Sequence, residues 1–273
     1  MPTYQSPSDG TTLAYQDYGT GTPIVFVAGW SLYSDMWEYQ LHYFLEQGYR
    51  CILPDRRGHG RSDIPSGGYD IDTRADDLAA LIDLLDLRDV TLVAHSTGGG
   101  EVVRYLNRHG SERITRTALL APAIPFMLQT EDNPVGVPPA LAEETLRQLR
   151  TDRPQWFADR AQGYFATHLR PGTSQAMIDE EMKRCLSTPP HVALTVQREA
   201  LMTDYRADVA ALRIPTLILH GLVDQSIPIE LSSHQAVKLA PHIVLKEYWD
   251  AGHGLYLTHQ DEMNSEIHAF IKG

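Results

Sequence analysis

The sequence predicts an α/β fold in which helices pack on both faces of a mostly parallel sheet, and three observations carry that prediction. Short apolar runs recur at Ile24–Val27, Cys51–Leu53, Val90–Ala94, Ala118–Ala121, Thr216–Leu219 and Ile243–Leu245. Runs this short, apolar on both faces, suit central strands of a parallel sheet. Helical patterns lie between them, and the alternation of strand and helix builds a doubly wound sheet whose sites sit at the carboxyl ends of its strands.

Each element has a local reason. Two alternating segments open the chain, Thr3–Ser6 and Thr11–Asp17, and Ser8-Asp9-Gly10 between them signals a hairpin turn. In Thr73–Leu85, the residues Ala75, Leu78, Ile82 and Leu85 fall at helical spacing. They set one apolar stripe on a helix that Asp72 or Thr73 would cap. Val102, Val103 and Leu106 follow Gly98-Gly99-Gly100, whose missing side chains let a helix press closely on the sheet. The rhythm breaks between Pro122 and Ala211, where a proline-rich opening turns helical, and the strand pattern resumes after Ile214-Pro215. We expect a core formed by residues 1–122 and 211–273, with a helical cap, 123–210, inserted between two of its strands.

Composition narrows the function. The 273 residues include 23 Lys+Arg and 35 Asp+Glu, a formal charge of -12. Such an acidic chain lacks the basic face that phosphate binding requires, so nucleic acid is not an expected partner. No apolar run approaches the roughly 18 residues that span a bilayer. The first residues show neither the basic nor the apolar stretch of a secretory signal. With only two cysteines, Cys51 and Cys185, the expected setting is cytoplasmic and the thiols free. Assembly into a homo-oligomer is left open. No His/Cys cluster has metal-ligand spacing, and neither metal nor cofactor is expected.

The sharpest chemical signal is Val90-Thr-Leu-Val-Ala-His-Ser96-Thr-Gly-Gly-Gly100. A strand running into Ser96 and then directly into a helix lifts the hydroxyl above the sheet edge, and the tight joint demands small residues at Ala94 and Gly98. The bland alternative is a serine that caps a helix. A serine nucleophile needs a histidine base held by a carboxylate, and in sheets of this kind the order is Ser, acid, His. Asp224 falls just beyond the strand Thr216–Leu219, and His253 follows the strand that ends near Trp249. Asp250, in the loop of His253, is a weaker candidate for the acid. His95 is expected to shape the pocket, His220 to bond locally, and His259 and His268 to lie on a solvated helix face. Backbone N–H groups of Thr97 and, from Ala28-Gly29-Trp30-Ser31, of Trp30 are the candidate donors to an oxyanion. Asp55-Arg-Arg-Gly58-His-Gly60-Arg-Ser62 fits neither common phosphate-loop spacing. It reads as a turn held by charge pairs such as Asp55 with a nearby arginine.

Together these segments resemble the α/β-hydrolase superfamily over essentially the whole chain. More narrowly, they resemble the cofactor-free (non-haem) bacterial chloroperoxidases and related arylesterases. Ala28-Gly-Trp-Ser-Leu, Gly48-Tyr-Arg, the Asp55–Ser62 turn, Asp76-Asp-Leu, His95-Ser-Thr-Gly-Gly-Gly-Glu-Val, Asp224-Gln-Ser-Ile-Pro228 and Gly252-His-Gly carry the likeness. The resemblance implies a Ser96–His253–Asp224 triad, Trp30 and Thr97 as oxyanion donors, and a helical cap. Two positions depart from the pattern. Ala28 stands where the family commonly has His, and Ser31 where members noted for peracid formation often have Pro.

The expected activity is therefore hydrolysis of small or aromatic carboxylic esters or lactones through a Ser96 acyl-enzyme. The alternatives are peracid formation from carboxylic acid and peroxide, and non-catalytic binding of a small ligand. Trp30, Phe126, Trp156, Phe157, Tyr164, Ile227 and Leu255 are the candidates for an apolar substrate pocket.

Overall fold

In the computed structural model, which describes residues 1–273, the strands are β1 (Thr3–Gln5), β2 (Thr12–Tyr18), β3 (Pro23–Val27), β4 (Arg50–Pro54), β5 (Val90–His95), β6 (Ile114–Leu120), β7 (Thr216–Gly221) and β8 (Val244–Tyr248). They form one sheet in the order β1-β2-β4-β3-β5-β6-β7-β8. β1 and β2 pair antiparallel across the Ser8-Asp9-Gly10 turn, and β2 is antiparallel to β4. Every pair from β4 to β8 is parallel. This is the predicted α/β class.

The strand order positions the site. From β3 the chain moves outward to β4 and then returns to the other side of β3 as β5. The carboxyl ends of β3 and β5 thus flank the point where the winding reverses, where a doubly wound sheet opens a crevice.

Helices close two apolar cores, one on each face. α2 (Ile71–Leu84), α3 (Thr97–His109) and α9 (Ser233–Leu239) bury their stripes on one side, through residues such as Leu78, Ile82, Val103 and Ala236. α1 (Glu38–Glu46) and α11 (Gln260–Lys272) cover the other through Phe44, Met263 and Ile267. The short α10 (Leu255–Thr258) precedes α11. Between β6 and β7 the chain inserts α4 (Pro139–Thr151), α5 (Arg153–Phe165), α6 (Gln175–Ser187), α7 (Pro190–Met202) and α8 (Arg206–Ala210). No helix is long and apolar enough to cross a membrane.

Two local expectations need correction. α2 starts earlier than its apolar stripe suggests, and its cap is Asp70, whose carboxylate accepts the Thr73 N–H at 2.9 Å. Asp70 has the extended backbone that a capping residue needs, whereas Asp72 already lies inside the first turn. The run Ile243–Leu245 is not a central strand. β8 pairs only with β7 and forms the sheet edge, with Val244 half exposed while Ile243 is buried just before it.

α3 lies close enough to β3 that Gly98 has no room for a side chain. A Cβ there would sit 2.6 Å from the Ala28 carbonyl oxygen and 2.8 Å from that of Val27, both backbone atoms. Alanine is favoured over glycine in a helix by about 1 kcal/mol, but here overpacking outweighs propensity. We predict that Gly98→Ala lowers stability by roughly 1–3 kcal/mol, read from urea unfolding. A raised midpoint would contradict this packing account.

Candidate active site

β5 ends at His95 and α3 begins at Thr97, so one residue makes the whole connection. That residue, Ser96, sits at φ 53°, ψ -119°, a backbone conformation costly for any side chain. Its amide donates to the Leu120 carbonyl at 2.9 Å, and its carbonyl accepts from Gly99 and Ala123, each at 3.0 Å. These bonds hold the strained turn on three sides. The hydroxyl makes no capping bond to α3, which disposes of the capping alternative.

The Ser96 hydroxyl instead meets His253 Nε2 at 2.9 Å. His253 Nδ1 lies 2.7 Å from Asp224 Oδ2. Asp224 stands in the turn after β7, where its other oxygen accepts the N–H groups of Ser226 (2.8 Å) and Ile227 (2.9 Å). His253 stands in the loop after β8. The three residues are only 6%, 5% and 4% exposed in the order Ser96, Asp224, His253. Burial alone would push the Asp224 carboxyl up, but the charge and hydrogen bonds of His253 and His220 outweigh it and hold the group well below the usual carboxylate range. An ionised carboxylate only accepts, so His253 Nδ1 carries a proton and Nε2 offers its lone pair to the serine. Asp250 is engaged elsewhere, with His259 at 3.1 Å.

The loop after β3 lies directly over this turn. A Cβ on Gly29 would stand 3.3 Å from the Ser96 Cβ and would run into His95 Nδ1, so glycine is required by the close approach. The Trp30 N–H has no hydrogen-bond partner within the protein. Thr97 opens α3, so its N–H has no intrahelical acceptor. The loop is also tied to the inserted helices. The Trp30 indole donates to the Ala193 carbonyl (2.7 Å), the Ser31 hydroxyl to that of Cys185 (2.6 Å), and the Thr188 hydroxyl to that of Ser31 (3.0 Å).

Four of the seven candidate pocket residues gather here. The Trp30 ring stacks on Phe157 at 5.6 Å and meets Trp156 edge-on at 5.8 Å, while the Tyr164 ring is 5.2 Å from that of His253. The other three have different surroundings. Phe126 lies beneath the Arg206 guanidinium at 5.3 Å. Ile227 packs on the group containing Met127, Leu146 and Leu201, and Leu255 is fully buried in the core under α1 and α11.

The remaining histidines divide. His95 is buried, its ring 4.6 Å from that of His253, and Nε2 is 3.1 Å from the His253 carbonyl. Burial and the neighbouring His253 hold its pKa well below the ordinary imidazole value, so it is neutral and donates that bond. His220 bonds locally to Ser233 Oγ and the Ile227 carbonyl, and its Nε2 also faces Asp224 Oδ2 at 3.3 Å. His259 is not on a solvated face: it is 1% exposed, because its partners Thr258 and Asp250 draw the ring inward. In the Asp55–Ser62 turn, Asp55 accepts backbone N–H groups of Ser34 and Arg61. Asp55 also faces Arg61 Nη1 at 3.7 Å, as expected, while closer ion pairs join Arg57 to Asp77 at 2.7 Å and Arg56 to Glu101 at 2.8 Å.

Sequence reading misses a buried chain in which the Tyr164 and Tyr256 hydroxyls meet at 3.1 Å and Tyr256 donates to Glu181. Burial pushes the Glu181 carboxyl up, against the pull of Tyr256 and Arg184. No local pattern links these positions. Both cysteines are free and buried.

Residues 22–260 match the model of the alpha/beta hydrolase fold family. The chain is 40% identical over its full length, and that of its relative, to a non-heme haloperoxidase of Rhodococcus erythropolis. It is 33% identical to a bifunctional esterase/perhydrolase of Acinetobacter calcoaceticus, covering 98% of this chain and 99% of the other. Among solved structures, an esterase from Exiguobacterium antarcticum superposes with a TM-score of 0.94 at 28% identity, covering 100% of each chain.

The positive φ at Ser96 has a measurable consequence. Ser96→Gly should be more stable than Ser96→Ala by on the order of 1 kcal/mol, because glycine adopts this conformation without steric cost. Equal denaturation midpoints for the two variants would contradict the strain.

Proposed function

The chain belongs to the α/β-hydrolase family, and we propose that it hydrolyses carboxylic esters or lactones through an acyl-enzyme on Ser96. The observation that carries this reading is the unbroken line of hydrogen bonds from Asp224 through His253 to the Ser96 hydroxyl, at 2.7 and 2.9 Å.

In the proposed cycle His253 Nε2 takes the hydroxyl proton as Ser96 Oγ attacks the ester carbonyl. The carbonyl π electrons move to oxygen, which the N–H groups of Trp30 and Thr97 stabilise. Asp224 fixes the His253 tautomer and stabilises the imidazolium. Collapse of the intermediate expels the alkoxide, which takes the proton from His253. Water then adds to the acyl-enzyme by the same route, releasing the acid and restoring Ser96. The aromatic wall of Trp30, Trp156, Phe157 and Tyr164 supports small or aromatic acyl groups as substrates.

A second reading is that peroxide replaces water in the last step and leaves as a peracid. The haloperoxidase and esterase/perhydrolase names of the relatives favour it. Against it as the main activity, Ser31 holds φ 64°, which a proline ring cannot adopt. The loop therefore differs from the proline-bearing form associated with peracid formation.

On p-nitrophenyl acetate and butyrate, we expect Ser96→Ala to lower kcat on the order of 10⁶-fold, and Asp224→Asn about 10⁴-fold. A loss below tenfold in folded Ser96→Ala would remove Ser96 from the nucleophile role. Activity should also fall on the acid side as His253 takes the proton that disables it as a base. Asp224 is held ionised well below the usual range, so this limb should follow a single proton. A flat profile, or a limb of two protons, would count against this assignment.

A further inference from the structure

We infer that Arg56 is the positioning residue of the oxyanion site: it fixes the direction of the Trp30 N–H by holding the carbonyl of the same peptide. The inference rests on the ester-hydrolase reading and extends it to a residue otherwise assigned to a structural turn.

Arg56 follows β4, yet its side chain reaches across the carboxyl end of β3 to the helix that follows β5. One terminal nitrogen, Nη2, donates to the carbonyl oxygens of both Ala28 and Gly29, each at 2.5 Å. The other, Nη1, donates to Glu101 at 2.8 Å and lies 3.4 Å from Thr97 Oγ1. One buried guanidinium therefore touches the loop carrying the first proposed donor and the residue supplying the second. Glu101, also buried, anchors it from α3 and accepts Arg74 on the same oxygen at 2.8 Å.

The consequence follows from peptide geometry. The Gly29–Trp30 bond is trans, so the Gly29 C=O and the Trp30 N–H lie in one plane and point in opposite directions. With the carbonyl held toward Arg56, the N–H must point away from it. The same loop lies against the nucleophile, since a Cβ at Gly29 would stand 3.3 Å from the Ser96 Cβ. The Trp30 N–H is left without a protein partner, which an N–H reserved for a reacting oxygen requires.

Without Arg56, the Gly29 carbonyl would keep the Leu32 N–H, at 3.2 Å, and lose the charged donor at 2.5 Å, leaving the peptide freer to rotate. Gly29 offers minimal steric resistance. A flipped peptide would aim a carbonyl lone pair at the oxygen that accumulates charge during attack. A side chain that acts this way has little influence on a neutral planar ligand and a large one on a tetrahedral anion. That difference separates positioning from simple structural support.

The test compares two inhibitors on the full-length protein. An aryl trifluoromethyl ketone accepts Ser96 Oγ at its carbonyl carbon. The C=O π pair moves to oxygen as the hydroxyl proton passes to His253, giving an ionised hemiketal. The methyl ketone of the same skeleton stays planar. Arg56→Met removes the donors but leaves Arg74 paired with Glu101, so no lone charge is buried. We expect it to weaken the trifluoromethyl ketone on the order of 10²-fold and to lower kcat similarly, with the methyl ketone and KM nearly unchanged. Arg56→Lys, which cannot reproduce the planar fork, should lose an intermediate factor and provides the result if the methionine variant does not fold.

Variants that bind the trifluoromethyl ketone as wild type does, or that lose both ketones equally, would overturn the role of Arg56 while leaving ester hydrolysis standing. A wild-type protein that forms no Ser96 adduct would overturn both.

Discussion

One backbone constraint organises this molecule: β5 becomes α3 through a single residue, Ser96, held at φ 53°. The conformation is unfavourable in isolation and persists because the surroundings fix it. The Leu120 carbonyl takes the Ser96 amide, the Gly99 and Ala123 amides take its carbonyl, and Gly98 lets α3 lie against the end of β3. Any loosening of that packing would let the turn relax and the hydroxyl leave its place opposite His253. The absence of side chains at Gly29 and Gly98 is thus as much a requirement of the site as the polar residues are.

The loop after β3 is held from two directions. From the sheet side Arg56 grips the carbonyls of Ala28 and Gly29. From the inserted helices the Ala193 and Cys185 carbonyls accept the polar groups of Trp30 and Ser31, while Thr188 donates to the Ser31 carbonyl. The position of α6 and α7 is therefore coupled to the loop that would stabilise the oxyanion. α6 also supplies Glu181 to the buried chain with Tyr256 and Tyr164, which ends against the His253 ring. Substrate contact and the proposed catalytic geometry share these supports.

Much of this was legible in the sequence, for local reasons. A buried parallel strand shows as an apolar run whatever surrounds it, and a sharp strand-to-helix joint demands small residues at fixed offsets around the serine. Asp224 could be placed because it follows such a run, and His253 because the edge strand β8 runs parallel to β7 and delivers its loop to the same end of the sheet. What stayed hidden depends on partners distant in the chain. Arg56 reads as one more charge in a turn until β3 and α3 are seen on either side of it. His259 reads as exposed until Asp250 and Thr258 close around it. The edge position of β8 was invisible for a related reason, since its outer neighbour is missing and a run of three apolar residues does not reveal which side is unpaired.

The most direct measurement of the central claim is chemical. Acid quenching during turnover of an aryl ester, followed by proteolysis and peptide mass mapping, reads where the acyl group resides. The account predicts one acyl addition, on the peptide containing Ser96 and at its hydroxyl, formed before acid is released. An acyl group found only on another residue, or steady turnover with no acylated peptide even when deacylation is slowed, would contradict it.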